Sequence, residues 1–379
     1  MINVLFCNAV KIGDINYYID TDHGIARVGS LDKNDLYPEK VVIPSRVTYE
    51  GKVYSVTGIY YNAFYNHKEV KEVILPETLI QIYDYAFEGS GIKSIFIPKS
   101  VWIFGEGAIS ACHDLASIEV DENSVCYAAE NGFLYSKVDV PNYDEKAIIA
   151  FTGAFKGDLV IPDYIREIGD YVFKNYEGIQ SVQIPDSVYE IGEEAFSGCR
   201  NLKTVKMPAM LKRIGNYAFK ECASLTEIVI PKDVKKIGNE AFMGCTSLKK
   251  ITIEHHKELE IGIRPFLECP NLETIICDVD VPPYNPFSTS NFSYNIYETA
   301  KLYVPKNSIS LYKQHNQWRA FKNILPIETD GVEGIVDDEE RSYTVYTIDG
   351  RLVLKDGRNE DLDGLKKGLY IINGKKVIR

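Results

Sequence analysis

Apolar and polar side chains alternate over short stretches of this chain, and the alternation restarts at a near-constant interval. In Leu225-Thr226-Glu227-Ile228-Val229-Ile230-Pro231, Ile228 and Ile230, with Leu225 ahead of them, face a core while Val229 faces out. Pro231 lacks a backbone N–H and ends the strand. Val234 and Ile237 then bring the chain inward, and the next slot is a glycine (Gly169, Gly192, Gly215, Gly238 and Gly262). That glycine is expected to supply a backbone geometry that a bulky residue resists. An Ala-Phe pair closes the unit, so that Phe64, Phe87, Phe173, Phe196, Phe219, Phe242 and Phe266 are expected to form an aromatic spine. Eight segments reuse this template, and Pro162, Pro185, Pro208 and Pro231 follow one another at 23 residues. Such periodicity predicts stacked coils whose strands pair in parallel, as one continuous sheet over one continuous core.

The period of 20 to 30 residues with a turn after each strand is that of a leucine-rich-repeat solenoid, β-rich and of α/β horseshoe type, with a parallel main sheet. Residues 1–40 read as an N-terminal cap in which Ile15 to Asp20 and Gly24 to Val28 pair as strands. The solenoid is expected over 41–327. An insertion at about 121–158 interrupts it, where Asn131-Gly132-Phe133-Leu134-Tyr135 and Ala147-Ile148-Ile149-Ala150-Phe151 predict a hairpin projecting from the stack. The pattern decays after Phe266, and Trp318-Arg319-Ala320-Phe321 reads as the closing corner. Residues 328–340 are an acidic, glycine-bearing linker by composition. In 341–379, Asp349-Gly350 and Asn373-Gly374 each lie between alternating runs, which predicts two hairpins and a small all-β C-terminal domain.

Composition narrows the function. The 379 residues carry a net charge of −12 and no basic stripe, which argues against nucleic acid as a partner. No apolar run is long enough to span a bilayer. The opening Met1-Ile2-Asn3-Val4-Leu5-Phe6-Cys7-Asn8-Ala9 fits the tail of a secretory signal cleaved after Ala9, or an ordinary first strand. Of the eight cysteines, Cys112, Cys199, Cys222, Cys245 and Cys269 share one repeat slot and read as buried rungs rather than disulfides. Tyrosine is abundant at 26, a side chain suited to surfaces that touch other molecules.

The template Ile-Pro-x-x-Val-x-x-Ile-Gly-x-x-Ala-Phe-x-Gly-Cys resembles the BspA-like branch of bacterial leucine-rich repeats over about residues 41–325. It departs from the common leucine-rich form in having proline after the strand and no asparagine ladder. Val345 to Val353, Gly368 to Ile372 and the basic Lys375, Lys376 and Arg379 resemble a type IX secretion sorting domain, in a short copy. The first resemblance implies a secreted or surface-displayed binding protein, often an adhesin, without catalysis.

Candidate contact residues follow from position. The outward residue of each strand (Val42, Ile74, Phe96, Glu119, Val160, Gln183, Lys206, Val229, Thr252, Ile276 and Tyr303) should form a column roughly 50 Å long over about eleven coils. Val42, Ile74 and Phe96 would make an apolar patch at its start, unless a cap or loop covers them. Tyr60, Tyr61, Tyr65, Tyr83 and Tyr85 cluster beside the Ala-Phe corners, where they either contact a partner or shield the solenoid edge. His255-His256, beside Glu254 and Glu258, point oppositely on a strand and read as a solvated loop rather than a metal site. Cys112-His113-Asp114 are consecutive, an arrangement that does not suit a triad. No phosphate-binding loop, nucleophile elbow or zinc-protease motif is present in the sequence, and no cofactor or metal is expected. The expectation is a non-enzymatic, monomeric binding protein, secreted or on the cell surface, that recognises an extracellular protein or glycan. An intracellular scaffold and a glycan-capture protein are the alternatives.

Overall fold

The structure, a computed structural model, describes residues 9–29, 36–256, 259–284 and 290–327 together with the strands of residues 343–347, 352–357, 369–372 and 375–378. The chain divides at Ile327 into a solenoid unit and a smaller unit. The expected signal remnant lies outside the described residues apart from Ala9, and the acidic linker lies wholly outside them.

Each coil has three walls. The first is the strand before the proline, paired in parallel with its neighbours. It forms three sheets rather than one: Lys40–Val42 through Ser117–Val120, then Gly157–Val160 through Thr204–Lys206, then Glu227–Ile230 through Asn323–Ile327. The insertion makes the first break. At the second, Thr226 N–H reaches Lys203 O at only 3.4 Å. The second wall is a ladder that the apolar pattern did not foretell. Gln81–Ile82 and Ile103–Phe104 extend the sheet of Lys52–Ile59, while Glu167–Ile168 through Glu260–Ile261 extend that of Ala147–Phe151.

The third wall is made of turns. In the coils the residue before Ala-Phe, such as Tyr217 (φ 56°), and the second residue after Phe, such as Glu221 (φ 57°), are left-handed. Left-handed geometry costs a non-glycine residue about 1–2 kcal/mol, and here it aims the amides along the stack. Tyr217, Phe219 and Glu221 N–H donate to Asn239, Ala241 and Met243 of the next coil, so the turn backbone is paired without a helix. The described α-helices, Tyr294–Thr299 and Ile309–Gln314, lie at the C-terminal end of the stack.

The glycine slot has a different cause from the expected one. Gly215 is not left-handed, and a Cβ on it would lie 2.4 Å from the Gly192 carbonyl carbon. Glycine is there because the coils approach closely at this corner. The spine is present: Phe173, Phe196, Phe219, Phe242, Phe266 and Phe292 stack at 4.8–5.5 Å, and Phe64 lies flat on Phe87 at 5.0 Å. Phe292 is a member the decaying pattern concealed, and Trp318 and Phe321 end the series edge-on against it. Burying each ring stabilises by about 1.5–3 kcal/mol. Cysteine in its slot does more than fill space. Cys199, Cys222, Cys245 and Cys269 each donate from Sγ to the phenylalanine carbonyl one coil back, at 3.0–3.2 Å. Burial raises all these thiols, Cys199 and Cys269 to about 12, and the seven described cysteines are free.

The insertion does not project. Phe133–Ser136 pairs antiparallel with Ala147–Phe151, as its sequence suggests, but Ala147–Phe151 is itself the first strand of the second wall. All five of its residues are buried. Ile148 and Phe151, with Phe133, belong to one core, and Ala147, Ile149 and Ala150, with Leu134, to another. The expected single core is thus two, spanning residues 15–150 and 133–324, and the inserted strands are the partition between them. At the other end of the N-terminal stack Ile15–Asp20 pairs antiparallel with Ile25–Gly29, which joins Lys52–Ile59 in parallel and so fuses the cap to the second wall.

In the smaller unit Tyr343–Thr347 lies antiparallel to both Leu352–Gly357 and Leu369–Ile372, and Leu369–Ile372 pairs antiparallel with Lys375–Ile378. Both hairpins form one four-stranded sheet.

Gly215→Ala is expected to destabilise the solenoid by about 1–3 kcal/mol, the usual consequence of overpacking. The urea midpoint, followed by circular dichroism, measures it. Gly238→Ala, with a Cβ 2.5 Å from the Gly215 backbone, should cost the same.

Candidate binding surfaces

Exposed apolar side chains gather on the N-terminal stack. On the first wall Val42, Ile74 and Phe96 are 55%, 41% and 46% exposed, while their strand neighbours Val41, Val73 and Ile95 are buried. Val42 and Ile74 are register partners, Phe96 partners Glu119, and the Lys40–Glu72 ion pair at 2.8 Å lies one row away. The patch is therefore uncovered. Further along the column Gln183 and Lys206 are exposed, Val160 and Val229 stand singly, and Thr252, Ile276 and Tyr303 are half-buried.

The second wall carries an aromatic group. Tyr60 and Tyr83 occupy the slot that is glycine in later coils, and their rings lie 5.1 Å apart. Tyr61 closes on both at 5.0 and 4.9 Å, and Tyr18 of the cap meets Tyr60 at 5.1 Å. Two glycines make the room: a Cβ on Gly29 would lie 2.1 Å from the Tyr18 ring, and one on Gly58 would sit 3.3 Å from Arg27 and 3.4 Å from Tyr83. Burial, and then Asp84, push the Tyr61 phenol above its ordinary range. Tyr65 and Tyr85 do not join. Tyr65 stands alone on the turn wall, and Tyr85 meets Tyr171 edge-on at 5.3 Å. Tyr18 was invisible to the repeat pattern because it belongs to the cap. Beside this group Ile80 and Trp102 are about half exposed, and Trp102 N–H donates to Ile80 O.

The Ile80 and Trp102 slot becomes largely charged in the C-terminal stack. The Ile80 and Trp102 slot holds Arg166, Tyr189, Lys212 and Lys235, and ion pairs run between coils: Arg213–Glu190 at 2.8 Å, Lys212–Asp233 at 2.7 Å and Lys236–Glu260 at 2.7 Å. Exposed pairs of this kind add little stability and keep a face hydrated.

The remaining candidates fall apart in space. Cys112 Sγ donates to Phe87 O, His113 is exposed and Asp114 pairs with Lys71. His255 is exposed towards Asp278 while His256 is buried against Glu254 O.

A polar ladder follows the glycine slot, at a different place from the asparagine ladder of the common leucine-rich form. Asn216 Oδ1 accepts from Asn239 N–H, Asn239 Oδ1 from Ile263 N–H, Asp170 Oδ1 from Glu193 N–H and Asp84 Oδ1 from Glu106 N–H. Its N-terminal half is carboxylate. Burial, followed by Asp170, Asp84 and Glu193, raises Glu106. Burial, followed by Glu190, Asp144 and Asp170, pushes nearby Glu167 up to about 7.

With this geometry established, the class of protein is clear: the BspA type leucine rich repeat region matches in six copies over residues 47–161 and 166–296, and the chain belongs to that family. The fold is similar to that of the pneumococcal vaccine antigen PcpA, at 19% identity and a TM-score of 0.50 over 85% of this chain and 99% of that one. A leucine rich cell surface protein from Faecalibacterium prausnitzii is similar at 22% identity and a TM-score of 0.48, over 70% of this chain and 94% of that one. No curated protein matches the chain. Among the described residues no helix is long and apolar enough to cross a membrane.

The carboxylates of this column and of the strands beside it generate a pH dependence. Glu106, Glu167, Asp170 and Glu190 all have raised values, so the folded state holds their protons more tightly than the unfolded chain. That stability is complete below the ordinary carboxylate range and is lost as pH rises through Glu167's value of about 7. The melting temperature in EDTA should therefore fall between about pH 5 and pH 8. Glu167→Gln should melt above the parent chain at the upper end and not at the lower. A pH-independent difference between the two would contradict this assignment.

Proposed function

We propose that this chain is an exported binding protein, displayed at the cell surface or secreted, that engages an extracellular protein through its N-terminal coils. One observation carries the reading: the slot that holds Arg166, Lys212 and Lys235 in the C-terminal stack holds the half-exposed Ile80 and Trp102 in the N-terminal one, where Val42, Ile74 and Phe96 are also exposed on the first wall. An uncovered apolar column on one wall and a tyrosine and tryptophan group on another supply the anchors that protein interfaces favour. The family supports a surface location. The family is one of repeats, and binding rather than catalysis is the function proposed. The C-terminal sheet is proposed to act in sorting, on its sequence resemblance. The free thiols favour an internal scaffold as the second reading, since a reducing compartment keeps them so.

Fractionation and mass spectrometry of native cells separate the two readings. Recovery in the surface or medium fraction supports export, and recovery in the cytosol alone rejects it. For the contact surface, binding to an array of extracellular proteins should fall at least about tenfold in Ile74→Glu/Phe96→Glu, a loss of about 1.4 kcal/mol or more, with the parent's circular dichroism spectrum retained and only a small drop in melting temperature from the new carboxylate beside Glu119. A glycan array is the counter-test. Binding there that is lost in Tyr60→Ala and Tyr83→Ala while Ile74→Glu/Phe96→Glu is unaffected would replace the protein reading by glycan capture.

A further inference from the structure

The turn wall is interrupted at the insertion because one turn there is cut short. Residues 192–203 connect Glu190–Ile191 to Thr204–Lys206, whereas residues 152–156 alone connect Ala147–Phe151 to Gly157–Val160. Before the short turn, Tyr85, Phe87 and Gly89 N–H donate to Glu106, Ala108 and Ser110 of the next coil. Among the described residues no amide of Gly107, Ile109 or Ala111 donates onward. The ladder resumes with Tyr171, Phe173 and Asn175, which donate to Glu193, Ala195 and Ser197. Behind the gap the short turn keeps a backbone bond to the N-terminal stack, from Ala154 N–H to Leu115 O at 3.1 Å.

Side chains cross this gap on the outside. The Tyr85 ring lies over Gly107, where a Cβ would come within 2.9 Å of it, and meets Tyr171 edge-on with 5.3 Å between ring centres. Beside them Lys174 Nζ sits 4.9 Å from the centre of the Tyr171 ring, 2.8 Å from Glu194 and 3.8 Å from Glu88. The lysine and both carboxylates are 15–24% exposed, so solvent screens them less than a surface pair. The same grouping recurs inside the C-terminal stack, where Lys220 lies 4.9 Å from the Tyr217 ring centre and 3.1 Å from Glu240, but there the lysine pairs with one carboxylate. The Glu88 arm belongs to the junction. Every residue from Gly107 to Cys112 is buried beneath these side chains, whereas in the C-terminal stack Tyr217 and Lys220 are half-buried and Glu221 is exposed.

We propose that Tyr85, Glu88, Tyr171 and Lys174 form a strap that closes the turn wall across the insertion, and that the solenoid opens first at this strap. In a regular coil, backbone bonds hold each turn to the next and flat phenylalanines stack beneath them. Here the backbone bonds stop and Ile109 stands in the phenylalanine slot. What remains is a ring edge, a cation over a ring and an ion pair shared between two carboxylates. Local opening begins where such bonds are fewest. Lys174 is the common member: it holds the Tyr171 face and Glu194 in its own stack, and Glu88 across the gap. Opening would free the turn that ends in Cys112 and leave the ladders on either side intact.

Cys112 reports on this event, because a buried thiol is alkylated only when its surroundings open. The full chain is treated with iodoacetamide under native conditions and labelling is read by peptide mass spectrometry, with Cys222 and Cys245 of the regular coils as references. All three thiols are fully buried. Cys112 should react at least about tenfold faster than the references in the parent chain, and at least about tenfold faster again in Lys174→Met and in Tyr85→Ala, with the references unchanged. Lys220→Met removes the matching charge from the regular stack and should leave the ratio of Cys112 to Cys222 labelling at the parent value. The proposal is overturned if Cys112 and Cys222 react alike in the parent, if either strap variant keeps the parent ratio, or if Lys220→Met raises that ratio as much as Lys174→Met does.

Discussion

Every inward slot in this solenoid is chosen by what its own copy, one coil away, will tolerate. Backbone ladders run along all three walls, and they hold successive coils at a nearly constant step. Flat phenylalanines suit that step, as the stacking at 4.8–5.5 Å shows. Glycine is imposed where the step brings backbone against backbone. Cysteine is small enough to be buried and still offers a donor to the carbonyl behind it. The same rule bears on charge: a residue that cannot pair with its copy repeats its cost at each coil, which is why amides run easily along the ladder and carboxylates do not.

The insertion is where that regularity is suspended. Its strands are buried on both faces and divide one expected core into two. Tyr127 shows how the edge is finished: its hydroxyl accepts from Phe104 N–H and donates to Trp102 O, taking the place of a strand where the second wall of the N-terminal stack stops. Lys174, between Glu88 at 3.8 Å and Glu194 at 2.8 Å, links turns on either side of the same junction. The carboxylate column and the unpartnered Tyr143 hydroxyl lie there too. A solenoid that is otherwise a sum of neighbouring contacts thus has one place where distant parts of the chain must agree.

Outward slots escape the stacking rule, and they record a difference between the two halves. Towards the C-terminus the second-wall slots hold charges, several of which pair from coil to coil, while the first-wall column mixes Gln183 and Lys206 with single Val160 and Val229. Towards the N-terminus they hold Val42, Ile74 and Phe96 on one wall and the tyrosine group with Ile80 and Trp102 on another. No stacking requirement asks for those apolar groups, because the inward residues of the same strands already fill the core.

By itself the sequence determined the coil, its repeat and its inward face, because a period of two broken by proline and renewed every 23 residues has few other solutions. The outward residues from Val42 to Val229 could also be read from it, since strand geometry leaves them one direction, whereas Thr252, Ile276 and Tyr303 are half-buried. The second wall was not legible: two-residue strands such as Glu190–Ile191 carry no alternation to read, and form only because the neighbouring coil presents the same two residues. The grouping of Tyr60, Tyr61 and Tyr83 with Tyr18, and the separation of Tyr65 and Tyr85 from them, depended on which corner each coil turns. The inserted hairpin's pairing could be read locally, but whether it stood out from the stack or divided it was decided by the apolar surfaces it found on both sides. Spacing along a chain specifies contacts one repeat apart. Contacts that join a cap, an insertion and a coil arise only when the stack has closed around them.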